Sequence, residues 1–234
     1  MASIQKLAVV LMMMLSWAPA IRAAGEWEQR FDAGLAAYTE GDFDAARAHW
    51  TAAMEEARTG GSLHELTQTL DWLAKLEELS GKSDQAESHL RERARLLQSA
   101  TGVDRLSYLT ARASLARFLD REGKHDQAHA LLEENVVLYR EVGRGFLLAD
   151  PHLDLARHYE ARGDLASSAS QYESALSVLG EEITTTRVQA LEEYAQVLER
   201  LGRSVESSAA REQSSQVAQQ LKAVVEKNRE QFLR

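Results

Sequence analysis

The sequence predicts an all-α protein, a solenoid of about five helical hairpins ended by a longer amphipathic helix. Three observations carry that expectation. Ala, Leu, Glu, Arg and Gln dominate the 234 residues, while aromatics are 6% and Pro only 2, which favours helix and argues against a sheet. A Gly in a polar turn recurs at 41, 81, 123, 163 and 202, at intervals of 40, 42, 40 and 39. Small residues keep a fixed distance from it: Gly34, Ala74, Ala116, Ala156 and Ala195 lie seven before, and Ala46, Ala86, Ala128, Ser168 and Ser207 five after. Nine after the Gly comes a bulky residue, Trp50, Leu90, Leu132 or Tyr172, with Arg211 out of pattern. Each Gly is thus expected to take a left-handed backbone at a helix end, and the small residues to let two helices approach closely. One hairpin cannot bury both its faces, so the hairpins stack, with the first helix of each lining a concave side.

The elements follow in order. Residues 1–23 read as a cleavable export signal, with Lys6, an apolar run Leu7 to Ala18 broken only by Ser16, and the small-x-small pattern Ala18-Pro19-Ala20. The run is short of the roughly 20 residues that span a bilayer. The expected localisation is therefore periplasmic or secreted, with no transmembrane segment left after cleavage. Without Lys6 and Arg22 the chain keeps 25 cations against 36 acids, a charge of -11, and it has no Lys/Arg block with interleaved aromatics; nucleic acid is excluded as a partner. The absence of Cys excludes disulfides, Cys-ligated zinc, thiol catalysis and a Cys-dependent lipid anchor.

Residues 24–234 form the solenoid, in units 26–60, 61–101, 102–143, 144–182 and 183–234. Helices are expected at 26–40 and 43–58 around Gly41, 62–80 and 84–100 around Gly81, and 104–122 and 126–142 around Gly123. In the fourth unit Pro151 sets a new helix start at about 148, because the residue before a proline disfavours helical backbone; helices 148–162 and 165–180 flank Gly163. The fifth unit has helices 184–201 and 204–232. The last is continuous, with Ala210, Val217, Leu221, Val224 and Phe232 on an apolar face, weakened by Ser207, Ser208, Ser214 and Ser215. It can cap the solenoid or associate with another chain.

The run Gly34-x3-Tyr38-x2-Gly41-Asp42-Phe43-x2-Ala46-x3-Trp50-x2-Ala53 resembles a tetratricopeptide repeat. The third unit, with Leu115-Ala116-Arg117-Phe118-Leu119 and Gly123-Lys124-His125-Asp126-Gln127-Ala128, is similar to the longer variant of about 40–42 residues found in kinesin light chains and many bacterial proteins. Arg93 and Asn135 depart from the small residue represented by Ala53 and Ala175. The resemblance covers essentially the whole chain after residue 23. It implies a right-handed α-solenoid and a noncatalytic interaction protein.

Catalytic and metal chemistry find little footing. Gly81-Lys82-Ser83 mimics the tail of a phosphate loop, but Leu76 stands where its first glycine is needed and no strand precedes it. His125, His129 and Glu133 share a helix face, yet His125 stands where Phe43 and Leu165 pack in sister units, so a packed or solvated histidine is expected and no metal or cofactor is assigned. No Ser-His-Asp arrangement or paired carboxylates stand out, and the chain is not expected to be an enzyme.

The candidate binding surface lies ten, six and three residues before each turn Gly, on the presumed concave face. In the first unit these places hold Phe31, Leu35 and Tyr38, an apolar trio; its alternative is packing of Phe31 and Leu35 against Trp27. In the next three units the middle place holds Lys75, Arg117 and Arg157, with Arg121 one turn beyond Arg117, a basic ladder suited to carboxylates or an acidic peptide. The alternative is local pairing with Glu78, Asp120 and Glu160, worth about 0.2–0.5 kcal/mol each. The expected function is an exported scaffold that binds a peptide or protein partner in its groove within a cell-envelope assembly. The alternative is a periplasmic carrier of a small apolar ligand such as a lipid.

Overall fold

A computed structural model describes residues 25–60, 62–102, 104–143 and 145–232. The export signal expected at 1–23 lies outside them. Ten α-helices and no strand are present among the described residues: α1 (25–40), α2 (Phe43–Gly60), α3 (Leu63–Leu79), α4 (Ser83–Ser99), α5 (Arg105–Arg121), α6 (His125–Val142), α7 (Ala149–Ala161), α8 (Leu165–Leu179), α9 (Thr185–Arg200) and α10 (Ser204–Phe232). The fold is an all-α solenoid type built of helical hairpins, and none of the described helices is long and apolar enough to cross a membrane.

The turn glycines end their helices for the expected reason. Gly41, Gly81, Gly123, Gly163 and Gly202 have φ of 82°, 70°, 73°, 79° and 76°. In every case the residue after the Gly donates its N–H to a carbonyl five residues back, as Asp42 does to Ala37 at 2.9 Å and Lys124 to Leu119 at 2.8 Å. This is the Schellman closure, which satisfies carbonyls the helix end would otherwise leave bare. Polar side chains close the opposite ends: Ser62, Asp104, Asp164 and Thr184 accept N–H bonds from Glu65, Leu106, Ser167 and Arg187.

The chain divides into two compact units, Met1–Val103 and Asp104–Arg234. In the first, α1 to α4 enclose a core in which Trp50 is fully buried and seated against Gly34, with Leu70, Leu73 and Leu76 beside it. Trp50 and Trp27 also find acceptors for their indole N–H groups, the Phe31 carbonyl at 3.1 Å and the Thr69 hydroxyl at 3.0 Å. Glu77, 3% exposed, is held by Arg47 at 2.8 Å.

In the second unit, the small places Ala116, Ala128, Ala156 and Ala195 are all fully buried, and Leu132 and Tyr172 fill the knob places. Asn135, at a place where small residues were expected, is buried because it bridges helices: its amide donates to the Leu109 carbonyl at 3.3 Å and its oxygen accepts from Arg112 at 2.8 Å. A 3-10 turn, Gly145–Leu148, precedes α7, and Pro151 sits in the first turn of α7, where no N–H is missed. Ser207 and Ser214 were expected to weaken α10 and instead pin it. Both are buried, and they donate to the Ala195 and Val188 carbonyls at 2.8 and 3.3 Å. Arg211 is exposed, as befits a terminal helix, and the apolar stripe of α10 is buried at Ala210 and Val217.

Candidate functional site

Hairpin packing brings the same face of alternate helices together. In the second unit the faces of α5, α7 and α9 bound a cavity of about 250 Å³, which Tyr139 of α6 also lines. Thr110, Ala113 and Arg117 come from α5, Asp150, Leu153, Asp154 and Arg157 from α7, and Thr186 and Gln189 from α9. Two of the arginines expected on this face therefore line one cavity.

Their closest partners are not the acids three residues on, Asp120 and Glu160. Arg117 donates to Asp154, on the next wall helix, at 2.9 Å. Arg157 grips Glu193 of α9 with two bonds, 2.9 and 3.2 Å, and its other nitrogen lies 3.9 Å from Asp154. Glu193 further accepts from Tyr172 at 3.1 Å and Gln189 at 2.8 Å, so its oxygens are saturated. In both pairs the cation six before one turn Gly meets the acid nine before the next. Arg200 of α9 and Glu160 of α7 add a further cross-helix pair at 2.6 Å.

The electrostatics follow from depth. Burial pushes the Asp154 carboxyl above its ordinary value, and the opposing pull of Arg117 and Arg157 does not reverse this. Asp150 shifts the same way for the same first cause, again against those two guanidiniums. Burial disfavours the charged form of Arg157, but its bonds to Glu193 outweigh that and raise its pKa. Burial likewise raises the Tyr139 phenol.

The other expected binding residues lie in the first unit. Phe31 is a correction: it is 5% exposed, stacked on Trp27 at 4.8 Å and facing Trp50, because Trp27 and α3 cover it. Leu35 is half-buried against the same core. Tyr38, also half-buried, has the rings of Phe43, Trp50 and Trp72 each 5.7 Å away. Lys75 is exposed, pairs with Asp71 at 2.8 Å and lies 4.7 Å over the Trp72 ring. Arg121 is exposed at the last residue of α5.

Histidines of the second unit form a separate cluster. Asp120 accepts from Nδ1 of buried His158 at 2.8 Å and of His125 at 3.1 Å, and His129 stacks on His158 at 5.2 Å. Among the described residues no group of three or more His, Asp or Glu is arranged to hold a metal.

Residues 27–50 and 109–134 match the family model described as tetratricopeptide repeat. Solved structures share the fold at low identity. BtubC (BKLC) from P. vanneervenii is 17% identical, with a TM-score of 0.70 over 93% of this chain and 89% of that one. The nearly identical TPR-like repeats of a Podosopora anserina kinesin light chain protein are 19% identical, with a TM-score of 0.64 over 82% of this chain and 94% of that one. A Rap protein complexed with Competence and Sporulation Factor is 14% identical, with a TM-score of 0.67 over 84% of this chain and 55% of that one. No curated protein matches the chain significantly in sequence. The chain thus carries tetratricopeptide repeats at residues 27–50 and 109–134, and its helical hairpins with left-handed turn glycines share the fold of the TPR-like kinesin light chain repeats and of BtubC.

Proposed function

We propose that this protein is a noncatalytic, exported scaffold that binds an extended segment of a protein partner in the cavity bounded by α5, α7 and α9, within a cell-envelope assembly. The observation that carries the reading is the cavity itself. Its walls are three helices, and its polar groups are held by the pairs Arg117–Asp154 and Arg157–Glu193. Such pre-ordering lowers the entropic cost of binding. At about 250 Å³ it is smaller than the roughly 300–1,000 Å³ that enclose a whole small molecule, and it suits a side chain or two of a longer segment. Four charged side chains on its wall disfavour a lipid, so the carrier alternative has no structural observation behind it. The Rap protein, similar in fold, is itself complexed with Competence and Sporulation Factor, which supports a binding role for this architecture.

Export rests on Lys6, the apolar run to Ala18 and the Ala18-Pro19-Ala20 pattern. N-terminal sequencing of the protein from the envelope fraction is expected to start between Ile21 and Gly25, and a start at Met1 or Ala2 overturns it. The binding role is tested by affinity capture from envelope extract with wild type and Gln189→Trp, which fills the cavity mouth from an exposed position. A partner retained by the wild type and lost by the variant supports the cavity; capture that is equal for both removes it as the site.

A further inference from the structure

The charges that line the cavity differ in how well they are served. Both arginines are engaged, Arg117 with Asp154 at 2.9 Å and Arg157 in two bonds with Glu193. An incoming carboxylate would have to share a guanidinium with an acid it already holds and would lie against that acid's negative charge, Asp154 being 7% exposed beside Arg117. Asp150 is the opposite case. The residue is exposed in the first turn of α7, its carboxylate is covered in part by the cavity wall, and it makes no hydrogen bond or ion pair among the described residues. Arg117 and Arg157 act on it only through space.

Charge balance points the same way. Of the side chains that line the cavity, Arg117 and Arg157 balance Asp150 and Asp154, and Glu193, bonded to Arg157 from outside the lining, adds one negative charge, on a chain whose net charge is -9. Beside Asp150 the wall is Leu153 and the largely buried Tyr139, an apolar and aromatic lining on which the methylene stem of a long cationic side chain can lie with its head at the carboxylate.

On the basis of the peptide-site reading above, we propose that the cavity selects a basic residue of the bound segment, a Lys or Arg whose cationic head pairs with Asp150 and whose stem packs on Leu153 and Tyr139. The basic ladder read from the sequence is thus not the selecting feature; its arginines build the wall, and a carboxylate at the rim does the choosing. A charge-assisted bond of this kind is among the stronger polar contacts.

The test is selection from a phage-displayed library of random linear heptapeptides on wild type, Asp150→Asn and Asp150→Lys, each first shown by circular dichroism to keep wild-type helix content. Wild type is expected to enrich sequences with Lys or Arg at one fixed place; Asp150→Asn keeps the flanking consensus but loses that place, and Asp150→Lys exchanges it for Asp or Glu. A synthetic winning peptide should bind Asp150→Asn about tenfold more weakly, and replacing its basic residue with norleucine should cost about as much on wild type and little more on the variant. Winners with no basic place, or the same basic place on Asp150→Asn, overturn the role of Asp150 while leaving the peptide site standing. Failure to select any peptide on wild type overturns the peptide-site reading and this inference with it.

Discussion

Arg117 on α5 and Asp154 on α7 meet at 2.9 Å although 37 residues separate them. The aspartate is 7% exposed and the arginine side chain 44%, so the pair joins a buried acid to a partly solvated base. The two halves are unequal. A guanidinium that loses Asp154 can return to water, whereas a carboxylate that loses Arg117 stays largely desolvated in the cavity wall.

That asymmetry gives the first prediction. Arg117→Ala should destabilise the protein by about 1–3 kcal/mol, the usual penalty of an unsatisfied buried acceptor, moderated by Arg157 at 3.9 Å. Lys75→Ala should cost no more than about 1 kcal/mol, because Lys75 is exposed and Asp71 keeps Arg93 at 2.8 Å. Urea denaturation of both variants decides it; equal small losses would show that Asp154 is adequately hydrated without Arg117.

A second prediction concerns acid. Burial raises the Asp120 carboxyl, but hydrogen bonds from His158 and His125 outweigh it and hold the group below its ordinary value. A group depressed on folding stabilises the native state above its unfolded pKa, near 3.9, and that stability is lost as pH falls through the lower folded value. Asp120→Asn should therefore be destabilised at pH 7 and should lose less on going from pH 5 to pH 2 than wild type does. Melting temperatures across that range measure it, and parallel profiles for the two proteins would contradict it.

Packing yields a third. A Cβ on Gly34 would run into the Trp50 indole, whereas one on Gly60, at the exposed end of α2, meets nothing within 4 Å. Gly34→Ala should cost about 1–3 kcal/mol or more by overpacking, and Gly60→Ala should be neutral or mildly stabilising. Ala116→Leu should behave like Gly34→Ala, since Ala116 is fully buried at the equivalent place. Chemical denaturation reads all three, and a tolerated Gly34→Ala would mean that α1 and α2 pack further apart.

Fold was legible in the sequence because its determinants are local and repeated. A Gly that must adopt positive φ, and small residues that must admit a neighbouring helix, occupy the same places in every unit. The aromatic knob Trp50 sits against Gly34 as that spacing requires. The site was legible only in part. Arg117 and Arg157 do line a cavity, but reading them beside Asp120 and Glu160, three residues on, missed acids on the next wall helix. The signal was present at Asp154 and Glu193, each nine before a turn Gly, but it becomes visible only when adjacent repeats are paired side by side. Phe31 was misread because its place, ten before the turn Gly, is a packing place and not a surface one: Ala113 and Leu153 are buried there too, and in the first unit the cover is Trp27, whose indole is anchored to Thr69 on α3. Arg112, buried and bonded to Asn135, carried no periodic signal at all.

The central claim, that a protein segment occupies the cavity of the second unit, is tested most directly by photo-crosslinking in the intact envelope. A benzophenone amino acid is placed at Gln189, which lines the cavity from α9, and, for comparison, at Val137, an apolar residue of α6 that is 53% exposed and outside the cavity. Irradiation should give a discrete higher-mass adduct from position 189, absent from position 137, whose mass spectrum contains peptides of a second protein. No adduct at 189, or the same adducts from both positions, would contradict the account.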